Sequence, residues 1–237
     1  PKGYVLSEEE IAVTIGKVDE VVEIELVNYF IKGNIALTKV DEDYPDNKLS
    51  GAVFEVYSDT NGDGKLDKDD TLLGEMKELD GGVYQMSELR YGKYLVKETK
   101  APTGFVLDEN VYSVSVEENG KTYTVENKAG VGFINAAQKG SLKIVKTSSD
   151  GTVSFRVTGV DYDQTFKTDK NGEIVIEGLR IGDYTVSEVS DKASAGYILP
   201  ADKQATVKVD ATAIVQMHNE FRDTPKTGDD FNLGLWV

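Results

Sequence analysis

Apolar and polar residues alternate in short runs along most of the chain, the period-two pattern of strands buried on one face. YSVSVEENGKTYTVENK (112–128) reads as two strands around an Asn-Gly turn, and TDKNGEIVI (168–176) reads the same way. Val, Ile, Thr and Tyr, the residues that fit a pleated surface, fill these runs. Helix-forming composition is confined to short pieces such as LSEEE (6–10). The pattern predicts an all-β protein built from many short strands.

The runs also repeat. VNYFIKGNIALTK (27–39) aligns with INAAQKGSLKIVK (134–146), each with an Asn followed by Lys-Gly and an alternating strand that ends in Lys. YGKYLVKETKAPTGFVL (91–107) aligns with IGDYTVSEVSDKASAGYIL (181–199), and PKGYVL (1–6) carries a third Gly-aromatic end. IELVN, VGFIN and VQMHN close on Asn28, Asn135 and Asn219. This self-similarity divides the chain into the C-terminal part of a truncated module one (1–32), a complete module two (33–138), a complete module three (139–222) and a tail (223–237). Modules of this size with many strands are expected to be immunoglobulin-like sandwiches. Their short connections predict a semi-rigid rod.

Side chains two positions apart on a strand share a face. Ile35 and Leu37 therefore share theirs with Lys39, Tyr94 and Val96 with Glu98, and Val131 and Phe133 with Asn135. Module three repeats this with Leu142 and Ile144 before Lys146, Tyr184 and Val186 before Glu188, and Val215 and Met217 before Asn219. A single such polar residue commonly points outward at a fraying strand end. The same three types at matching places in two modules argue for burial.

Burial lowers the pKa of a Lys and raises that of a Glu. A neutral amine beside a protonated carboxyl is a nucleophile beside a general acid. The amine can attack the Asn carboxamide carbon while Glu protonates its oxygen and shuttles protons, so that ammonia leaves and a Lys–Asn isopeptide bond remains. Contact between the groups supplies the effective molarity. The event occurs once per module and does not turn over, so the chain is not an enzyme.

Composition narrows the alternatives. The 237 residues include 42 acidic and 26 basic side chains, a net charge of −16, no Cys and one His, His218. Disulfides, thiolate metal sites and imidazole clusters are excluded. The acidic balance disfavours nucleic acid. No apolar run is long enough to span a bilayer as a helix. No GxSxG, phosphate loop or paired catalytic carboxylates occur, so neither an enzyme site nor an organic cofactor is expected. The chain starts at Pro1 without a signal peptide, as expected of a fragment or mature form.

YLVKETKAPTGF (94–105) resembles the E-box of Gram-positive pilins, with Glu98 as its Glu. The whole of 1–222 resembles tandem Cna B-type (SpaA-like, prealbumin-like) domains of cell-wall adhesins and pilins. The resemblance implies bonds Lys39–Asn135, assisted by Glu98, and Lys146–Asn219, assisted by Glu188. It also makes Asn28 the acceptor of module one, whose Lys is not in this chain. SEVSDKASAGY in module three lacks the Thr-x-Ala-Pro of the box. Asn127 is a rival acceptor in module two, although its spacing to the next Lys-Gly departs from the repeat.

DTNGDGKLDKDD (59–70) has oxygen donors at positions 1, 3, 5, 9 and 12 and Gly at position 6, the pattern of a twelve-residue calcium loop. Asp59, Asn61, Asp63, the Lys65 carbonyl, Asp67 and Asp70 are the candidate Ca²⁺ ligands. The alternative is a solvated acidic turn. The flanks AVFEVYS and TLLGEM read as strands, so this would be an EF-like loop between strands. Module three lacks the insertion, which accounts for most of its shorter Lys-to-Glu spacing, 42 against 59 positions.

In the tail, Thr224, Pro225, Lys226, Thr227 and Gly228 resemble the LPxTG signal cut by sortase, with Thr224 in place of Leu. The expected protein is an extracellular, cell-wall-anchored stalk whose partners are sortase and either peptidoglycan or pilin subunits. Membrane contact would be transient, through a C-terminal continuation. A second reading makes a module the binder of a host matrix protein or glycan, and a third places an enzyme module upstream. The pilin Tyr-Pro-Lys-Asn motif is replaced by Tyr-Pro-Asp-Asn at 44–47, which does not support a pilus-backbone role.

Overall fold

The computed structural model describes residues 1–147, 152–190, 192 and 196–222. Among these every regular element is a strand, so no helix is long and apolar enough to cross a membrane. LSEEE is exposed irregular chain. Five residues form too few hydrogen bonds to offset helix nucleation. The chain divides into two compact units between Ala137 and Gln138.

The first unit contains β1 (Lys32–Asp41), β2 (Val53–Ser58), β3 (Thr71–Glu75), β4 (Lys77–Glu78), β5 (Val83–Arg90), β6 (Gly92–Lys100), β7 (Val111–Val116), β8 (Thr122–Thr124) and β9 (Phe133–Asn135). One sheet has the order β4-β5-β1-β8, with β9 also on β1, and the other has the order β3-β2-β6-β7. Ile35, Leu37, Phe54, Val56, Tyr84, Val96 and Phe133 fill the space between them. Phe54 meets Tyr84 and Phe133 edge-on, at centroid distances of 5.2 and 4.9 Å.

The second unit contains β10 (Lys139–Lys146), β11 (Ser154–Gly159), β12 (Tyr162–Lys167), β13 (Glu173–Arg180), β14 (Gly182–Val189), β15 (Tyr197–Ile198), β16 (Lys203–Val207), β17 (Thr212–Met217) and β18 (Glu220–Phe221). Its sheets run β13-β10-β17 and β12-β11-β14-β16, with a small β15-β18 pair. Leu142, Ile144, Phe155, Val157, Tyr184, Val186 and Met217 form its core.

Both Asn-Gly turns lie between two strands, but neither closes a hairpin. β7 pairs with β6 and β8 with β1; likewise β12 pairs with β11 and β13 with β10. Each turn carries the chain from one sheet to the other. In the first, Gly120 N donates to Lys32 O, and the Tyr123 hydroxyl of β8 accepts from Glu117 N and Glu118 N, so a side chain and not a backbone ladder ties β8 to the end of β7. Such crossings explain the glycine of the Lys-Gly repeat. A Cβ on Gly33 would lie 2.8 Å from Lys121 O, and one on Gly140 would lie 2.1 Å from Lys208 O.

The Gly-aromatic repeat has a spatial counterpart. Tyr4 bridges Phe30, Phe105 bridges Ala137, and Tyr197 pairs with Phe221, in each case the residue two past the repeated Asn. Tyr4 and Phe30 also stack at 4.7 Å, with the Arg90 guanidinium 4.0 Å from the Phe30 ring. Residues 6–30 are otherwise exposed, Asn28 included.

Candidate functional site: a buried lysine, glutamate and asparagine in each unit

In the first unit β9 runs parallel to β1 with Lys39 opposite Phe133, so Asn135 lies two residues further along the facing strand. In the second unit β17 runs parallel to β10 with Lys146 opposite Met217, and Asn219 again lies two residues further. The glutamates come from the other sheet, Glu98 opposite Phe54 on β2 and Glu188 opposite Phe155 on β11. Parallel register thus sets Lys and Asn on one wall of the sandwich, and the Glu reaches them from the other.

All six residues are buried. The Lys39 and Glu98 side chains are fully enclosed, with Nζ 4.0 Å from Oε1. Lys39 Nζ donates to Phe133 O at 2.9 Å, and Asn135 Nδ2 donates to both Glu98 oxygens at 2.9 Å. The buried Oδ1 of Asn135 has no hydrogen-bond partner. In the second unit Lys146 Nζ donates directly to Glu188 Oε2 at 3.0 Å, and Asn219 Nδ2 donates to Glu188 Oε1 at 2.7 Å.

Burial drives both titrating groups of the first triad toward neutrality. Desolvation lowers the Lys39 pKa to about 8, against the opposing charges of Glu98, Asp108 and Asp41. Desolvation likewise raises Glu98, although the Asp108 amide, Asn135 and Lys39 pull the other way. An amine and a carboxylic acid on either side of a carboxamide have the composition required for amide exchange.

Two neighbours of this triad give no parity signal in the sequence. Asp108 follows the E-box in a loop; its N–H donates to Glu98 Oε2 at 2.8 Å. Burial opposes its charge, but hydrogen bonds from Tyr112, Asn127 and Asn110 outweigh that and lower its pKa. Asn127, the rival acceptor, commits its carboxamide to the backbone of Ile134 and to Asp108.

The acidic loop curls over the outer face of the β6–β7 edge, where Lys93 Nζ donates to Gly62 O at 2.9 Å. Asp59 is buried and accepts from Gly62 N and Gly64 N. Asn61 Nδ2 reaches Asp67 Oδ2 at 3.2 Å, and Asp70 accepts from Thr60 N and Asp67 N, so the two ends of the twelve residues close on each other. Asp63 accepts from Lys65 N at 2.8 Å. Among the described residues no three His, Cys, Asp or Glu side chains converge as a metal-binding group. The donor chemistry of the loop, carboxylates with one amide and a backbone carbonyl, nonetheless suits a hard cation. The segment Thr224–Gly228 lies outside the described residues.

The molecule therefore contains two β-sandwiches, one with β9 parallel to β1 and the other with β17 parallel to β10, and each encloses a Lys–Glu–Asn triad. The chain belongs to the SpaA prealbumin-like fold domain family, whose model matches residues 33–129 and 140–221. No curated protein matches it in sequence. Among solved structures it is similar to the TIE protein of Bacillus anthracis, at 26% identity and a TM-score of 0.69 over 93% of this chain. It spans 40% of that protein's length. GBS52, the minor pilin of Streptococcus agalactiae, matches 82% of this chain and is itself covered over 98%, at 17% identity and a TM-score of 0.36. The pilus adhesin SpaC of Lactobacillus rhamnosus GG matches 82% of this chain, with 32% of its own length covered, at 15% identity and a TM-score of 0.48. These last two add nothing to the assignment.

Proposed function

We propose that this chain is part of a structural and adhesive cell-surface stalk, hardened by Lys39–Asn135 and Lys146–Asn219 isopeptide bonds and attached by sortase to a cell wall or pilus. The observation that carries the reading is the enclosure of Lys, Glu and Asn at the same register offset in both units. Family membership supports it.

The chemistry balances within each triad. Neutral Lys39 Nζ attacks Asn135 Cγ, the Nζ–Cγ bond forms, and the Cγ–Nδ2 bond breaks. Glu98 carries the proton lost by Nζ to Nδ2, which departs as ammonia. Turning the Asn135 amide about Cβ–Cγ would put Oδ1 on Glu98, a contact in which only the protonated acid can donate. The Lys39 bond to Phe133 O holds the amine beside the acceptor strand. Attack inside a dry core needs no turnover, only one encounter of groups that the fold buries around the same Glu98.

Intact mass of the full chain tests this. The expected value lies two ammonias below the sequence mass, and Glu98→Ala restores one. An unmodified mass in folded protein would overturn the reading.

Calcium is assigned to the acidic loop, where Asp59, Asn61, Asp63, the Lys65 carbonyl, Asp67 and Asp70 would hold the ion. The bound ion would offset mutual repulsion of the carboxylates and brace the loop. Calorimetric titration that detects no heat at millimolar calcium would leave a solvated acidic turn.

Thr224–Gly228 is assigned as the sorting signal, with cleavage between Thr227 and Gly228. Pro225 keeps such a segment out of a central strand and biases Thr224 toward extended backbone, the form a protease-like groove accepts. Incubation with sortase and an amine nucleophile should release a peptide that begins at Gly228. Cleavage that survives Thr227→Ala would refute the assignment.

A further inference from the structure

The acceptor strand of module two is short. β9 has only three residues on β1, and residues 125–132 separate it from β8, the preceding piece on the same strand. In the second unit β17 makes six consecutive pairs with β10 before its Asn. A one-residue slip of a strand turns every side chain to the opposite face, which here would swing Asn135 out of the core. Three residues of ladder resist such a slip weakly.

We infer that Asn127 and Asp108 are positioning residues for the Lys39–Asn135 reaction: Asn127 staples the acceptor strand in register, and Asp108 ties that staple to Glu98. This rests on the isopeptide reading above. Asn127 Oδ1 accepts from Ile134 N at 2.6 Å, and its Nδ2 donates to Ile134 O at 2.9 Å. One side chain thus supplies both hydrogen bonds that a neighbouring strand would offer the residue before Asn135. The same Nδ2 donates to Asp108 Oδ2 at 2.8 Å, which also receives the Tyr112 hydroxyl at 2.7 Å. Asn110 binds the other Asp108 oxygen through its N–H and Nδ2. The Asp108 N–H then meets Glu98 Oε2 at 2.8 Å. A continuous path runs from the residue before the acceptor to the proton carrier.

Asp108 has a second effect, through its charge. The carboxylates that face Lys39 are Glu98 from β6, Asp41 from β1 itself and Asp108 from the loop after β6, and all favour the protonated amine. Removing the Asp108 charge frees the amine at lower pH.

The test uses the full chain made by pulsed cell-free synthesis, with the Lys39–Asn135 cross-linked peptide quantified by mass spectrometry against chase time. Asn127→Ala is expected to slow its appearance by about tenfold or more, the scale of a small misplacement of reacting groups. Asp108→Asn keeps an acceptor oxygen but no charge, and is expected to shift the pH midpoint of the rate downward, a change that a purely structural role would not cause. Wild-type rates in Asn127→Ala, or an unmoved midpoint in Asp108→Asn, would overturn the inference alone. No cross-link in the wild type would overturn the underlying reading and the inference with it. If Asn127→Ala loses amide protection throughout module two, the Asp108→Asn profile decides.

Discussion

Modules two and three hold the same three residues in two different ways. Both set Asn two residues beyond the partner of Lys on a parallel strand, and both place Glu opposite a core Phe. In module three Lys146 bonds straight to Glu188. In module two Lys39 stands 4.0 Å from Glu98 and bonds to a backbone carbonyl, while Glu98 takes the Asp108 amide. Asn219 follows the six-residue ladder of β17 by two residues, whereas Asn135 ends a three-residue piece held by Asn127. Strand register thus sets Lys and Asn together, the facing sheet supplies the Glu, and the surrounding polar groups set how the three are held.

The sharpest way to break the parallel is to remove one acceptor at a time. Asn135→Ala and Asn219→Ala should each restore one ammonia of mass. Each should also cost roughly 4–5 kcal/mol if the bond acts like a disulfide that closes a loop of this length. Denaturant melts of the two variants should therefore show two independent losses of similar size. A loss in only one would mean that one triad is merely a buried polar cluster.

Next in size is the wall on which each Glu rests. Phe54→Ala and Phe155→Ala each open a cavity in a closed core and should cost about 3–5 kcal/mol. Phe54 also packs on Phe133, two residues before Asn135, so its loss should slow the cross-link in module two as well. Time-resolved peptide mapping of that variant checks this.

Calcium should separate the modules in a third way. At a hundredfold excess over Kd it should stabilise module two by about 2.7 kcal/mol and leave module three unchanged. Asp63→Ala should abolish the difference, as read by calorimetric melting with calcium and with chelator.

The most gradual effect is on pH, best seen in Asn135→Ala, where Lys39 keeps a free amine. Folding lowers the Lys39 pKa from 10.5 to about 8, so the unfolded chain binds the extra proton between those values. Stability contributed by this group should rise with pH across that window and stay low below it, with a slope under about 1.4 kcal/mol per pH unit. Glu98 has the opposite sign. Its folded pKa lies above its unfolded value, so its contribution is full below the unfolded pKa and is lost as pH rises through the folded one. Lys39→Met on the same background should flatten the upper limb, and a limb that persists would reassign it to another group.

Much of this architecture is written in local pattern. Period-two alternation marks the strands, and the recurrence of Lys, Glu and Asn on core-facing parity identifies six side chains that the structure buries, because parity decides which face a residue occupies wherever one face is dry. The Asn-Gly turns are also legible as turns. Their pairing is not, since a turn sequence constrains a few backbone angles and carries no information on which sheet the next strand joins; both carry the chain across the sandwich. Asp108 and Asn127 lie in loops, where no periodicity exists to read, and their partners Glu98 and Ile134 are brought to them only by folding. Local sequence, through strand period and turn chemistry, determined the elements and the chemistry-bearing faces. Tertiary structure alone decided the parallel closure of last strand on first, and with it which Asn meets which Lys, because that choice depends on contacts between residues far apart in the chain.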